Sequence, residues 1–271
     1  MEQAYTTLNT GARMPLLGLG VYDMYNQEAE AAVSVALETG YRLIDTAAMY
    51  ENEVQIGNAI RASAVPRNEI FLTTKVANPD QGYDQTLKAF DVSLKKLNCD
   101  YIDLYLVHWP IKGKRKDTWL ALERLYTEKR VRAIGVANYL VPFLQELEGY
   151  ASVVPALDQV EFSPFLNLTD LVSLCQAKGI VLQAYTPLVR GKRFSHPGLV
   201  RMANAYAKTP AQILLRWAIQ LGVSTIPKSA NPDRIRENFQ IFDFTISSQD
   251  MAEINTWNED FRVVENPMDM W

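Results

Sequence analysis

The chain has 271 residues, 48% hydrophobic and 21% charged, with a formal net charge of -4, a composition expected of a globular protein with a sizeable core and no basic patch for nucleic acid. Its two cysteines, Cys99 and Cys175, have neither CxxC spacing nor the density of a disulfide framework, so free thiols in a reducing compartment are expected, with no metal centre. No charged-then-apolar leader opens the sequence and no apolar stretch reaches the ~18 residues of a membrane span, so a cytoplasmic location without a membrane partner is the expectation.

The segment from Tyr5 to Leu8, the turn Asn9-Thr10-Gly11 and the segment Arg13 to Met14 predict a small hairpin that plugs or caps a larger body. Beyond it the text alternates. LLGLG precedes a helical pattern from Glu28 to Glu38, RLID precedes one from Glu53 to Ala62, and IFLTTK precedes one from Tyr83 to Leu97. The strands DLYLVH, RAIGVA, ALDQVEF, IVLQAYT and VSTIPK follow, with helical stretches such as DTWLALERLYTEK, LTDLVSLCQAKG and PAQILLRWAIQLG between them.

This gives about eight βα units. The apolar runs lack alternation, as parallel strands covered by helices do. No linker or composition break divides the chain, so a single closed α/β barrel domain over residues 1–271 is expected, with a doubly wound sheet as the alternative. Asp117 is read as the cap of the helix before Trp119, Gly179 as a helix stop, and Pro210 as near a helix start. The stretch from Asn258 to Trp271 has no periodicity and is read as a C-terminal loop over the barrel rim.

In such a barrel, chemistry gathers at the C-terminal strand ends. The polar residues there are, in order, Asp45, Lys75, His108, Asn138, Gln159, Tyr185 and Lys228. A strand meeting solvent accounts for one such residue; a succession of them points to a shared site. Lys75 inside IFLTTK needs a buried partner, and Asp45 on the neighbouring strand supplies it. Tyr50 follows shortly after Asp45, and Lys75 beside it is expected to favour the phenolate and lower its pKa, making a proton donor. His108, followed by Trp109, is placed to donate a hydrogen bond to a substrate oxygen, whereas His196 in the loop SHPG reads as a surface residue.

The Rossmann GxGxxG fingerprint is absent: Gly18 and Gly20 lack the third glycine. The last strand instead runs into IPKSANPDRIREN, where Lys228, Ser229 and Arg234 surround a helix start, a natural phosphate site.

These segments resemble the aldo-keto reductase superfamily, with the closest look to prokaryotic members such as 2,5-diketo-D-gluconate reductase. The resemblance rests on GYRLIDTAAMYENEVQIGNAIR at 40–61, TTKV at 73–76, DLYLVHWP at 103–110, GVANY at 135–139, QVEFSPF at 159–165, AYTPL at 184–188 and IPKSANPDRIREN at 226–238. It implies a TIM-type (β/α)8 barrel that uses NADPH to reduce aldehydes, ketones or dicarbonyls, keto sugars among them, to alcohols, and a monomer.

The same resemblance implies Tyr50 as the general acid, assisted by Lys75 and Asp45, and His108 as the group orienting the carbonyl. For the cofactor it implies Asn138 and Gln159 at the carboxamide and Tyr185 on the nicotinamide ring. Thr186 and Leu188 follow along the pyrophosphate, Lys228, Ser229 and Arg234 lie at the 2′-phosphate, and Asn238 is near the adenine. Gly20, Val21, Tyr22 and Asp45 complete the cofactor set. Tyr22, Tyr50, Ala77, His108 and Trp109 are the implied substrate contacts.

The chain departs from the family pattern in four places. Ala137 stands where Ser is usual, Ser163 where His is common, Ala77 where a pocket Trp is usual, and Val21 where Thr is frequent. Ala77 predicts a wider, less aromatic pocket. Two rival functions fit parts of the pattern: a nucleotide-binding sensor or regulatory subunit on the same fold, and a barrel isomerase of phosphorylated sugars. Binding alone has no need of a paired Tyr50 and Lys75, and an isomerase has no need of the cofactor residues.

Overall fold

In the computed structural model, which describes residues 3–270, the hairpin forms from β1 (Tyr5–Thr7) and β2 (Arg13–Pro15), antiparallel with Tyr5 opposite Pro15. Gly11 turns the chain at φ +83°, a conformation that costs glycine little. Leu8 and Met14 are buried in one apolar cluster with Leu43, Phe71, Leu104 and Leu157, so the hairpin stops the N-terminal mouth of the barrel.

From there strand and helix alternate: β3 (Leu19–Gly20), α1 (Asn26–Thr39), β4 (Leu43–Asp45), α2 (Glu53–Ala62), β5 (Phe71–Val76), α3 (Tyr83–Leu97), β6 (Ile102–Val107) and α4 (Arg115–Thr127). The second half holds β7 (Val131–Ala137), α5 (Val141–Glu148), β8 (Leu157–Glu161), α6 (Thr169–Lys178), β9 (Val181–Tyr185), α7 (Pro197–Tyr206), α8 (Pro210–Gln220), β10 (Ser224–Thr225), α9 (Pro232–Phe239) and α10 (Ser248–Ile254). Strands β3 to β10 pair in parallel, each with its sequence neighbour.

The sheet closes where β10 returns to the first strand through the bridges Leu17 to Thr225 and Gly20 to Lys228. A Cβ on Gly20 would stand 2.8 Å from the Ile226 carbonyl oxygen, so that seam needs glycine. The VSTIPK run yields only two strand residues. Pro227 has no N–H to donate, although its carbonyl accepts from Gly20 N at 3.2 Å.

Side-chain alternation along the strands creates two cores. On β5, Leu72 and Val76 face the helices and Phe71 faces the barrel interior, so Thr73 and Lys75 face inward with Phe71. An inward apolar layer of Leu43, Phe71, Leu104 and Leu157 therefore lies beneath inward positions that turn polar two residues later at Asp45, Thr73 and Gln159, while Leu106 on β6 stays apolar.

Helix ends follow local chemistry, with one departure. Thr209 and Gln212 form a reciprocal capping box across Pro210, the first residue of α8, and Gly179 takes the left-handed stop at φ +67°. Asp117 does not cap α4: that helix begins after Lys114, and Asp117 lies inside its first turn, where a carboxylate still favours the positive end of the helix dipole. No helix among the described residues is long and apolar enough to cross a membrane.

Candidate active site

The inward polar layer holds Asp45, Lys75, Gln159 and Tyr185, with His108 directly after β6. Lys75 is fully buried, and its Nζ donates to Asp45 Oδ1 at 2.5 Å and to the Thr46 carbonyl oxygen at 2.9 Å. Gln159 Nε2 donates to Asp45 Oδ2 at 2.7 Å and to Gln183 Oε1 at 2.7 Å, and Gln183 donates onward to Ser224 Oγ at 3.0 Å. Both oxygens of Asp45 are thus engaged. Burial pushes the Asp45 carboxyl up and the Lys75 ammonium down, and their attraction for each other opposes both shifts.

Tyr50 ends a short 3-10 turn, Ala48–Tyr50, that follows β4. Its ring centroid lies 5.1 Å from Lys75 Nζ, and the ring packs edge-on against His108 at 5.6 Å and Tyr22 at 5.3 Å. The expected lowering of its pKa by Lys75 is not what the structure gives. Burial, then the charge of Asp45, pushes the Tyr50 hydroxyl well above the usual phenol value, while the Lys75 charge is spent on Asp45 and faces the ring. Tyr50 is therefore held in its protonated form.

Burial and the nearby Lys75 charge keep the His108 imidazole well below its ordinary pKa, so it is neutral near pH 7. Its Nδ1 is buried without a hydrogen-bond partner. An orphaned lone pair is tolerated better than an orphaned N–H, which assigns the proton to Nε2.

Asp45, Tyr50, His108 and Gln159 open into one cavity of roughly 670 Å³. Asn138, at φ +66°, lines it too: its Nδ2 donates to the His108 carbonyl at 2.8 Å and its Oδ1 accepts from the Tyr185 hydroxyl at 2.6 Å. The segment after β9 is strained: Thr186, Val189 and Arg190 all take positive φ, between 45° and 51°, at about 1–3 kcal/mol each. Thr186 Oγ1 is buried there without a partner. At the other end Lys228 lines the cavity, and α9 begins with Pro232 at its first position and the Asn231 side chain accepting from Arg234 N at 3.0 Å. No carboxylate pairs with Lys228 or Arg234 among the described residues.

A model of the aldo/keto reductase family matches residues 16–259. The chain belongs to the aldo/keto reductase family. It is 49% identical over 261 residues to the glyoxal reductase of Bacillus subtilis (strain 168), covering 96% of this chain and 95% of that protein. Among solved structures, an aldo-keto reductase from a Medee basin deep-sea metagenome library superposes with a TM-score of 0.94 at 43% identity, covering 96% of this chain and 97% of that one. The Bombyx mori aldo-keto reductase in complex with NADP does so with a TM-score of 0.91 at 36% identity, covering 98% and 96%. Family membership makes this chain an oxidoreductase of the (β/α)8 type.

Of the residues singled out in the sequence, this aldo-keto reductase fold brings Gly20, Tyr22, Asp45, Tyr50, His108, Trp109, Asn138, Gln159, Tyr185, Thr186 and Lys228 to the cavity wall. Lys75 lies just beneath it. Others do not line it. Val21 is core, with its N–H donating to the Asp45 carbonyl at 3.1 Å; Leu188 packs against the helix-layer core; Ser229 and Asn238 are buried near α9, and Arg234 is exposed on it. Ala77 is 9% exposed and its neighbour Asn78 supplies the wall instead, because the chain turns there into a short 3-10 helix, Asn78–Asp80. His196 is no bare surface residue: its Nδ1 caps α7 and its ring packs 4.6 Å from that of Trp257.

The C-terminal stretch read as a loop over the rim supplies Val263, Val264, Glu265 and Met270 to the wall. The sequence reading did not single out Arg190, in the left-handed segment, or Tyr25, Met49 and Asn78, which also line the cavity, or Asn52 behind it. Asn52, fully buried, accepts from Thr46 Oγ1 at 2.7 Å and donates to the Val21 and Met24 carbonyls at 2.8 and 3.0 Å, tying the loop of Tyr22 to that of Tyr50. Its place in the run YENE was the only available signal, since no periodicity marks a tie between loops.

Proposed function

We propose that this aldo-keto reductase uses NADPH to reduce small aldehydes, ketones and above all α-dicarbonyls to alcohols, with Tyr50 as the proton donor. The observation that carries the reading is the buried Lys75–Asp45 pair lying beneath a protonated Tyr50 that opens, edge-on to a neutral His108, into the cavity.

The residues present suit the cofactor. A dianionic 2′-phosphate matches Lys228 and Arg234, which no carboxylate neutralises among the described residues, with Ser229 before the start of α9, where the N-terminal N–H groups and the helix dipole favour an anion. Gln159 has given both amide hydrogens to Asp45 and Gln183, which leaves its Oε1 as an acceptor for an amide such as a carboxamide. The orphan Thr186 Oγ1 and Arg190 fit the phosphates between these ends. When bound, NADPH supplies a hydride.

The rest of the chemistry belongs to the protein. His108 donates from Nε2 to the carbonyl oxygen, fixing its direction and polarising it. Tyr50 gives that oxygen its hydroxyl proton as negative charge builds there. The ammonium of Lys75, held by Asp45 beneath the Tyr50 ring, keeps a fixed cation under the donor without drawing off its proton beforehand. Neutral His108 is suited to orienting, and high-pKa Tyr50 to keeping its proton until the oxygen becomes basic.

The likeness to a glyoxal reductase supports α-dicarbonyls as the substrate class. The unbroken alternation of strand and helix from β3 to α10 supports a single barrel domain over 1–271, and free Cys99 and Cys175 support a reducing compartment, the cytoplasm. The test is NADPH consumption by purified protein with glyoxal, methylglyoxal, simple aldehydes and keto sugars. Turnover fastest with the dicarbonyls is expected; no turnover with any carbonyl contradicts the reading.

A further inference from the structure

One buried carboxylate at the rim has no part in the chemistry above. Glu161 ends β8 on the same inward face as Gln159, beside Tyr185 in the parallel register, and is 2% exposed. Its Oε1 accepts the Val263 N–H at 2.6 Å, while Oε2 is buried without a hydrogen-bond partner and lies 3.8 Å from Arg262 Nη1.

The segment held in this way has no regular structure between α10 and the short 3-10 turn Pro267–Met270. Its earlier ties are the Glu259 and Phe261 N–H groups donating to the Phe165 carbonyl at 3.2 and 3.0 Å, and Arg193 pairing with Glu259 at 2.5 Å. Beyond Val264, the backbone bonds of the described residues are local, such as Asp269 N to the Asn266 carbonyl at 3.0 Å. Yet Val263, Val264 and Glu265 wall the cavity that Tyr50 and His108 share. A stretch without a hydrogen-bond ladder keeps a fixed wall only where something anchors it.

We propose that Glu161 is a positioning residue for the substrate pocket. Its carboxylate seats residues 262–265 over the carbonyl site and so sets the size of carbonyl that fits. A carboxylate suits this task because it only accepts: one oxygen takes the Val263 N–H while the other faces the Arg262 guanidinium. A glutamine there keeps one acceptor but turns a second donor toward those donors. The proposal rests on the reductase reading only for its kinetic arm.

The test combines hydrogen exchange with steady-state kinetics on the full chain. Glu161→Ala is expected to raise amide exchange over 262–266 about tenfold or more, the loss of a charge-assisted hydrogen bond, with β5 and β6 unchanged. KM for a bulky aryl glyoxal is expected to shift relative to KM for methylglyoxal, with kcat for methylglyoxal nearly unchanged. Val263→Pro, which removes the donor from the other partner, raises exchange at the neighbouring amides of the same stretch, and in the double variant they exchange no faster than in either alone; Glu161→Gln lies between wild type and Glu161→Ala. Val263→Pro and Arg262→Ala leave β8 intact and decide the matter if Glu161→Ala does not fold. Unchanged exchange, or additive effects of the two partners, overturns the latch whatever the turnover. Raised exchange with an unchanged KM ratio overturns its role as a pocket wall.

Discussion

Gln159 reaches across the barrel mouth to Asp45, its Nε2 donating to Oδ2 at 2.7 Å, while Lys75 takes Oδ1 at 2.5 Å. One carboxylate therefore joins the strand ends proposed to hold the nicotinamide to the ammonium beneath Tyr50. The arrangement predicts that Asp45→Asn, equal in shape but uncharged, leaves Lys75 as an unpaired buried cation. Urea unfolding is expected to reveal a loss of about 3–5 kcal/mol, the usual cost of breaking a buried pair from one side. A variant as stable as wild type would mean that the pair does not carry its charge in the folded state.

His108 provides a prediction about pH. Its folded pKa lies below the ordinary 6.5, so at lower pH the unfolded chain binds a proton that the folded imidazole refuses. Stability from this group is complete above about 6.5 and falls as pH drops below it, by up to about 1.4 kcal/mol per pH unit. Replacing His108 by the neutral Gln should remove that slope. Denaturant midpoints at about pH 7 and about pH 5 should therefore converge more in His108→Gln than in wild type; equal slopes would place the histidine at an ordinary pKa.

Arg234 is exposed on α9 with no carboxylate partner among the described residues, and its proposed task is a phosphate present in NADPH and absent from NADH. Arg234→Ala should weaken NADPH by about tenfold or more, the value of a charge-assisted contact, and change NADH little. The ratio of the two dissociation constants, measured by quenching of protein fluorescence, checks this. An unchanged ratio removes Arg234 from phosphate recognition.

Much of the fold was legible because each strand carries its own evidence: IFLTTK and DLYLVH are apolar runs that end in groups too costly to bury alone. Period-two alternation then puts Lys75 on the face of Phe71 and Thr73, and the barrel rule brings it to Asp45. What a linear text lacks is the environment. The shift of Tyr50 was read from its nearest charge, whereas burial is the larger cause and acts the other way. Arg190 was missed because a left-handed backbone in VRG has no compositional mark; the C-terminal stretch was placed over the rim, but not which of its residues reach the cavity, because Val263 is held by Glu161, about a hundred positions earlier in the chain. Asp117 looked like a cap since Asp is a good one, but Arg115 and Lys116 extend the helix backward past it.

Proton donation by Tyr50 is the claim on which the account turns, and Tyr50→Phe isolates it by removing one oxygen and keeping the ring against His108 and Tyr22. NADPH binding and NADPH-dependent reduction of methylglyoxal should be measured on the same preparation. The account predicts nearly unchanged binding and a kcat lower by roughly a hundredfold or more. Equal kcat in Tyr50→Phe and wild type would contradict it.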